Sequence, residues 1–217
     1  MEPIKQHFRI TYKIGEALRY TATLNVHKIW ERYFRRARIP LAYSKGFHPQ
    51  PRINQAMPLP LGMLSEYELL DFWTEVDENR IPLEQIKEKL AQTFQPGIKI
   101  TSVDEILTKE KSLQSMVQSV KYHAIQFYKS EDEQSRMSVS ALLAKDEIIR
   151  VRRKKEYDLR PRILYLASEE NNGMIEYQMH LTALPGLSGR PDEVLAALGH
   201  EINYFRITRK EIVLKAP

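Results

Sequence analysis

The sequence predicts an α+β protein built from two tandem ferredoxin-like (βαββαβ) domains. Three observations carry that expectation. Segments of alternating apolar and polar residues are interleaved with segments of three- and four-residue apolar spacing in the order β, α, β, β, α, β over residues 1–107. The same order of patterns returns over 117–217, and a short polar segment, 108–116, reads as the linker between the two. A chain of 217 residues with 42% hydrophobic content is long enough to bury the cores that two such domains need.

In 7-HFRITYKIGEALRY-20, Phe8, Ile10, Tyr12 and Ile14 alternate, which predicts a strand ending near Gly15. Leu24, Ile29, Trp30, Tyr33, Phe34 and Ala37 then recur at helical spacing. They predict an amphipathic helix, with Thr23 or Asn25 as its N-cap and Pro40 beyond its end. The proline-rich run 47-FHPQPRINQAMPLPLG-62 reads as an extended loop or irregular edge strand, because proline lacks the amide a sheet interior needs. A strand is expected over YELLDFWTEV (67–76). A second helix follows over IPLEQIKEKLAQTF (81–94), with Ile86, Leu90 and Phe94 on one face. Pro96-Gly97 stops it, and 98-IKITSVDEIL-107 is the last strand of the first domain.

The second half reads VKYHAIQFY (120–128) as a strand and SRMSVSALLAKD (135–146) as a short helix. EIIRVRRKKEYDLRPRILYLAS (147–168) is read as one strand with a charged extension, and MIEYQMHLTAL (174–184) as another strand. RPDEVLAALG (190–199) is a helix closed by Gly199, and INYFRITRKEIVL (202–214) the final strand.

Composition removes several classes of chemistry. The chain has no cysteine, so it holds no disulfide, thiolate zinc site or cysteine-ligated iron–sulfur cluster. Its histidines, at 7, 27, 48, 123, 180 and 200, show no HxH, HxxxH or HExxH spacing, and no metal site is expected. No phosphate-binding glycine loop, GxGxxG or GxSxG occurs. The N-terminal MEPIKQHFRITYKIG lacks the apolar core of a signal peptide, and no apolar run approaches the roughly 20 residues of a membrane span. A cytoplasmic protein without a membrane partner is expected.

Charge is concentrated. The segment 28-KIWERYFRRARIPLAYSKGFHPQPRI-53 carries seven Lys/Arg against one Glu. Lys28, Arg32, Arg35, Arg36 and Arg38 cannot all share the helix's apolar face, so they predict a basic stripe. Lys45 and Arg52 extend it into a loop where Gly46 frees the backbone and Tyr43, Phe47 and His48 offer rings. Cations beside exposed rings suit phosphates and unstacked bases, whereas a solvated basic face without a ligand is the plainer use of the same pattern. A second cluster, 150-RVRRKKEYDLRPR-162, offers Arg150, Arg152, Arg153, Lys154 and Lys155 as auxiliary contacts, or a solvated excursion. His48, in a Gly/Pro loop near Tyr43 and Ser44, is the candidate for acid–base catalysis, although a lone loop histidine more often serves structure.

The succession Lys13, Gly15, Leu18-Arg19-Tyr20, then 31-ERYFRRARIPLAYSKGFHPQPRI-53, 59-LPLGMLSEYELLDF-72 and Pro96-Gly97-Ile98 resembles the radical-SAM-associated family of domains of unknown function. The resemblance is closest over residues 8–107. It implies a radical SAM enzyme as partner, with the iron–sulfur cluster and S-adenosylmethionine held by that partner and no cofactor in this chain. Family members carry a Ser-His-Leu-Asp run where this chain reads 22-ATLN-25, with Thr23 and Asn25 replacing the His and Asp.

These readings combine into a non-catalytic accessory module that binds a structured RNA, tRNA or rRNA, for a radical SAM modification enzyme. Two alternatives stand beside it: a metal-independent RNA-processing endoribonuclease, by fold analogy, and a scaffold docking its basic face on an acidic partner.

Overall fold

The computed structural model describes residues 3–77, 79–108, 111–127, 136–171 and 174–215. Tyr128 of the expected strand, Ser135 of the expected helix and positions 109–110 of the expected linker lie outside them. The chain divides into two units, 1–116 with 216–217, and 117–215.

The first unit runs β1 (Ile4–Ile14), α1 (Thr23–Arg36), β2 (Ile53–Gln55), β3 (Leu64–Val76), α2 (Leu83–Ala91), β4 (Ile98–Glu105) and α3 (Leu113–Met116). β1 pairs antiparallel with both β3 and β4, and β2 pairs with β3. The alternation in β1 turns Phe8, Ile10, Tyr12 and Ile14 to one face, where they meet Val26, Trp30 and Phe34 of α1 and Ile86 and Leu90 of α2. Phe72 stacks on Phe8 and on Phe34 at 5.2 and 4.7 Å between centroids, and Trp30 sets an edge against Tyr12 at 4.8 Å. Each of these buried rings contributes roughly 1.5–3 kcal/mol. The Tyr33 hydroxyl shares its proton between the carbonyls of Leu90 (2.7 Å) and Thr93 (2.9 Å), tying α1 to the end of α2. Gly97 (φ 79°) is fixed by a close approach, since a Cβ there would lie 2.6 Å from Leu18 Cγ.

Several local expectations change. Ala22, not Thr23 or Asn25, occupies the N-cap of α1 and makes no side-chain cap bond. Phe94 lies past the end of α2 and is 81% exposed, so the buried face of that helix ends at Leu90. The proline-rich run contains β2, and the segment read as a linker contains α3, whose Leu113 is fully buried.

The second unit runs β5 (Val117–Gln126), α4 (Val139–Leu143), β6 (Ile149–Arg152), β7 (Lys155–Asp158), β8 (Ile163–Asn171), β9 (Met174–Leu184), β10 (Leu187–Ser188), α5 (Pro191–Ala197) and β11 (Phe205–Leu214). β5 pairs with β9 and β11, and β9 also pairs with β8 and β10, all antiparallel. Tyr122, Ala124, Met179, Leu181 and Ile207 are buried from these strands, as are Val194, Leu195 and Leu198 from the α5 region. The Gly199 stop forms as expected: at φ 88° it lets the His200 amide donate to the Leu195 carbonyl at 2.9 Å.

The expectation of two tandem ferredoxin-like domains is corrected. Among the described residues nine strands enter sheet pairing, β1–β4 in the first unit and β5 with β8–β11 in the second, together with five α-helices and a separate two-stranded β6–β7 sheet. Part of the reason lies in 147–168, which is not one strand. It turns at Arg153-Lys154 to make β6 and β7, then turns again where the Asp158 carboxylate accepts from the Ile148 and Arg160 amides at 2.8 and 2.9 Å. The short β10 adds a further strand, so this unit holds seven strands where four were expected.

Candidate functional site

Helix α1 presents Lys28, Arg32 and Arg35 at i, i+4 and i+7, so they share one face. With Glu31, Ile39, Leu41, Tyr43 and Pro51 they line a groove of about 480 Å³ between the helix and the segment after it. That segment is held against β3: Leu41 bridges to Thr74, and the Ala42 amide donates to the Trp73 carbonyl at 2.7 Å. Glu31 faces His27 at 3.4 Å, and among the described residues no carboxylate pairs with Lys28, Arg32 or Arg35. The groove therefore holds three cations and one carboxylate beside a tyrosine ring, with none of the three cations in an ion pair among the described residues.

The loop beyond Tyr43 is closed at its base. Tyr43 bridges to Pro51, the Ser44 amide donates to the Gln50 carbonyl (2.8 Å), and the Gln50 amide donates to the Ser44 hydroxyl (3.0 Å). Lys45, Gly46, Phe47 and His48 occupy its tip, all exposed, with Phe47 entirely in solvent. Gly46 takes φ 138°, a conformation L-residues rarely adopt, and a Cβ there would meet open space. Among the described residues no acid, base or cation hydrogen-bonds to the His48 ring, which leaves it without the oriented partner a general base uses.

The other arginines of the expected stripe go elsewhere. Arg36 turns toward α2, donating to the Phe94 carbonyl (3.2 Å) and the Gln95 side chain (2.9 Å) with its guanidinium over the Tyr33 ring. Arg38 ends α1 with φ 53°, a position that usually belongs to glycine. Arg52 points away from the groove altogether. Successive residues of an extended chain face opposite sides, so Pro51 lines the groove while Arg52 lies over the Trp73 ring at 4.6 Å.

Arg52 and Trp73 belong to a pocket of about 870 Å³ within the first unit, which also takes in Lys5, His7, Asn54, Asp71, Arg80, Glu105 and Lys111. Asp71 is buried on its floor. Arg9 grips both of its oxygens (2.7 and 3.0 Å), and His7 Nε2 lies 2.9 Å from Oδ2. Burial acts to raise the Asp71 pKa, but the bonds from His7 and Arg9 and their charges outweigh it and hold the carboxyl below its usual range. The His7 ring stacks on Trp73 at 4.3 Å. Sequence reading missed this cluster because its members are brought together by the β1–β3 register. The available signal was a charged residue inside the apolar run LLDFW, which needs a partner if buried.

The second basic cluster divides. Arg150 and Arg152 reach Glu193 of α5 at 3.1 and 3.9 Å and are engaged inside their own unit. Arg153, Lys154 and Lys155 remain exposed at the tip of the β6–β7 hairpin. Thr23 borders a cavity of only about 10 Å³ with Arg19, Thr21 and the buried Glu68, room for about one water. Among the described residues no three His, Asp or Glu side chains gather as a metal would require, and no helix is long and apolar enough to cross a membrane.

The sequence profile of a family described as "Uncharacterized protein conserved in bacteria (DUF2344)" matches residues 7–191. No curated protein matches the chain. Among solved structures, the crystal structure of an unknown protein from Galdieria sulphuraria is similar over 97% of this chain and 100% of that chain, at 15% identity and a TM-score of 0.28.

Proposed function

We propose, for a chain that belongs to the bacterial DUF2344 family, that the α1 groove binds single-stranded or looped RNA for a partner enzyme. The observation that carries this reading is the groove itself, in which Lys28, Arg32 and Arg35 stand without carboxylate partners beside Tyr43. Cations there supply phosphate neutralisation, and a ring at the edge of the groove supplies a stacking platform for an unpaired base. Phe47, fully exposed at the tip of a loop that is closed at its base, adds a second ring where a splayed base can reach it. The partner is drawn from the sequence resemblance: a radical SAM enzyme that holds its own iron–sulfur cluster and S-adenosylmethionine, to which this chain presents the RNA. Lys45 and the hairpin tip, Arg153 to Lys155, are further phosphate contacts in this reading, and the chain itself performs no chemistry.

The test is a salt titration of binding to a labelled RNA stem-loop. Arg32→Gln with Arg35→Gln should weaken binding and reduce the slope of log K against log salt by about 0.7–0.9 for each phosphate that is no longer neutralised. An unchanged slope in a folded double variant moves the ligand off this groove, and binding to an acidic protein but to no RNA favours the scaffold alternative.

A further inference from the structure

The segment that walls the groove turns its next residue into a different site. Arg52 lines the pocket over Trp73, and the composition of that pocket selects a ligand class. Its lining includes four cations, Lys5, Arg52, Arg80 and Lys111, and two carboxylates, Asp71 and Glu105. Asp71 is already consumed by Arg9 and His7 on the floor. Glu105 is held by Arg80 and by Gln6 Nε2 (3.0 Å), and Lys5 is 3.6 Å from Glu75. Among the described residues no carboxylate pairs with Arg52 or Lys111. The pocket thus has an excess of positive charge, with its acids engaged by neighbours.

The geometry of Arg52 sharpens the class further. Its guanidinium carbon lies over the Trp73 ring at 4.6 Å, and among the described residues no acceptor takes its side-chain N–H groups, which leaves for an anion a planar fork of donors that lysine cannot offer. A forked donor matches two oxygens of one phosphate. The pocket volume of about 870 Å³ accommodates a ligand of nucleotide size. His7 stacks on Trp73 with its Nε2 2.9 Å from Asp71, whose carboxylate Arg9 holds in turn, so the platform beneath Arg52 is backed by packed neighbours.

We propose that this pocket is a second ligand site, which binds a phosphate group through Arg52 with Lys111 and Arg80 around it. The phosphate comes either from a free nucleotide or from an RNA chain. The site stands independently of the α1 groove, because no groove cation lines it.

Tryptophan fluorescence tests this directly. Trp30 is fully buried in the core, so a ligand-dependent change belongs to Trp73. The full-length chain is titrated with 5′-AMP, with inorganic phosphate, and with a single-stranded oligonucleotide lacking terminal phosphates. A saturable change is expected, absent in Trp73→Phe and weakened at least tenfold in Arg52→Gln; for 5′-AMP and inorganic phosphate it is the same in Arg52-containing chains whether or not the groove is occupied. Response to 5′-AMP with competition by inorganic phosphate identifies a free nucleotide, whereas response to the oligonucleotide alone identifies RNA backbone. Arg52→Lys keeps the charge and stem while losing the fork, so it should also weaken binding, and it replaces Arg52→Gln if that variant fails to fold. No saturable change with any of the three probes overturns the proposal, as does wild-type affinity in the Arg52 variants. Loss of groove binding with pocket binding intact defeats only the groove reading.

Discussion

The Ile39 amide donates to the Phe34 carbonyl at 3.0 Å, and that bond carries the chain around Arg38 at φ 53°. The Arg38 amide donates to the Arg35 carbonyl at 3.1 Å, completing the paired bonds that commonly close a helix, and Ile39 is buried just beyond them. Glycine is favoured at the turning residue because a Cβ there costs on the order of 1 kcal/mol. Arg38→Gly should therefore stabilise the chain by about 0.5–1 kcal/mol in urea unfolding. If Arg38 also contacts RNA, the same variant weakens binding while gaining stability, a combination that general disruption does not produce. A loss of stability would show that the arginine side chain contributes more to the fold than its backbone strain costs.

A similar device closes the β6–β7 hairpin. Arg153 and Lys154 have φ 48° and 65°, the backbone of a two-residue turn that favours Asn-Gly. Replacing Arg153-Lys154 by Asn-Gly should raise the melting temperature by a few degrees, in line with removing about 1–2 kcal/mol of strain. In the groove reading it also removes two phosphate contacts, so RNA affinity should fall and the salt slope flatten. Unchanged affinity confines this hairpin to a structural role.

How much of this was legible follows from the range of the interactions involved. The strand β1 and helices α1 and α5 could be read because Phe8, Ile10 and Tyr12, or Trp30, Tyr33 and Phe34, report their own periodicity. The groove cations were legible for the same reason, since Lys28, Arg32 and Arg35 share a helical face. Arg36 and Arg38 do not line the groove, because helix phase and a helix-ending turn separate them from that face. Arg52 was misplaced because alternation along an extended chain sets it opposite Pro51. The β6–β7 turn has Arg-Lys where Asn or Gly would have announced it. The His7–Asp71 contact joins residues that only strand register brings together, and local patterns do not encode that register.

Gly46 gives a prediction that separates backbone strain from crowding. Nothing stands within 4 Å of where a Cβ would sit, so an added Cβ meets open space, and Ala and Val are both penalised by the same φ of 138°. Gly46→Ala and Gly46→Val should each re-route the loop tip and shift Phe47 and His48, lowering RNA affinity several-fold. The melting temperature should fall by only a few degrees, because the tip is exposed and carries no core residue. Wild-type affinity in both variants would make the tip dispensable to the site.

The last prediction concerns pH and the core of the second unit. His200 is 7% exposed, its Nε2 lies 2.6 Å from the Tyr177 hydroxyl, and its ring meets the edge or face of Tyr177 and Phe205. Burial, followed by the charge of Arg136, lowers its pKa to about 4 from an ordinary value of 6.5. The unfolded chain thus binds a proton that the folded chain rejects between those two values. Stability from the neutral ring is fully present above pH 6.5 and is lost as pH falls toward about 4. The loss should reach about 2 kcal/mol by pH 5. His200→Gln lacks the titrating group, so its stability deficit relative to wild type at pH 7 should shrink by about that amount at pH 5 in urea melts. A deficit that stays constant with pH would mean that the folded ring titrates as it does in the unfolded chain, and one that grows at pH 5 would mean that the imidazole is held protonated, with the Tyr177 oxygen accepting from it.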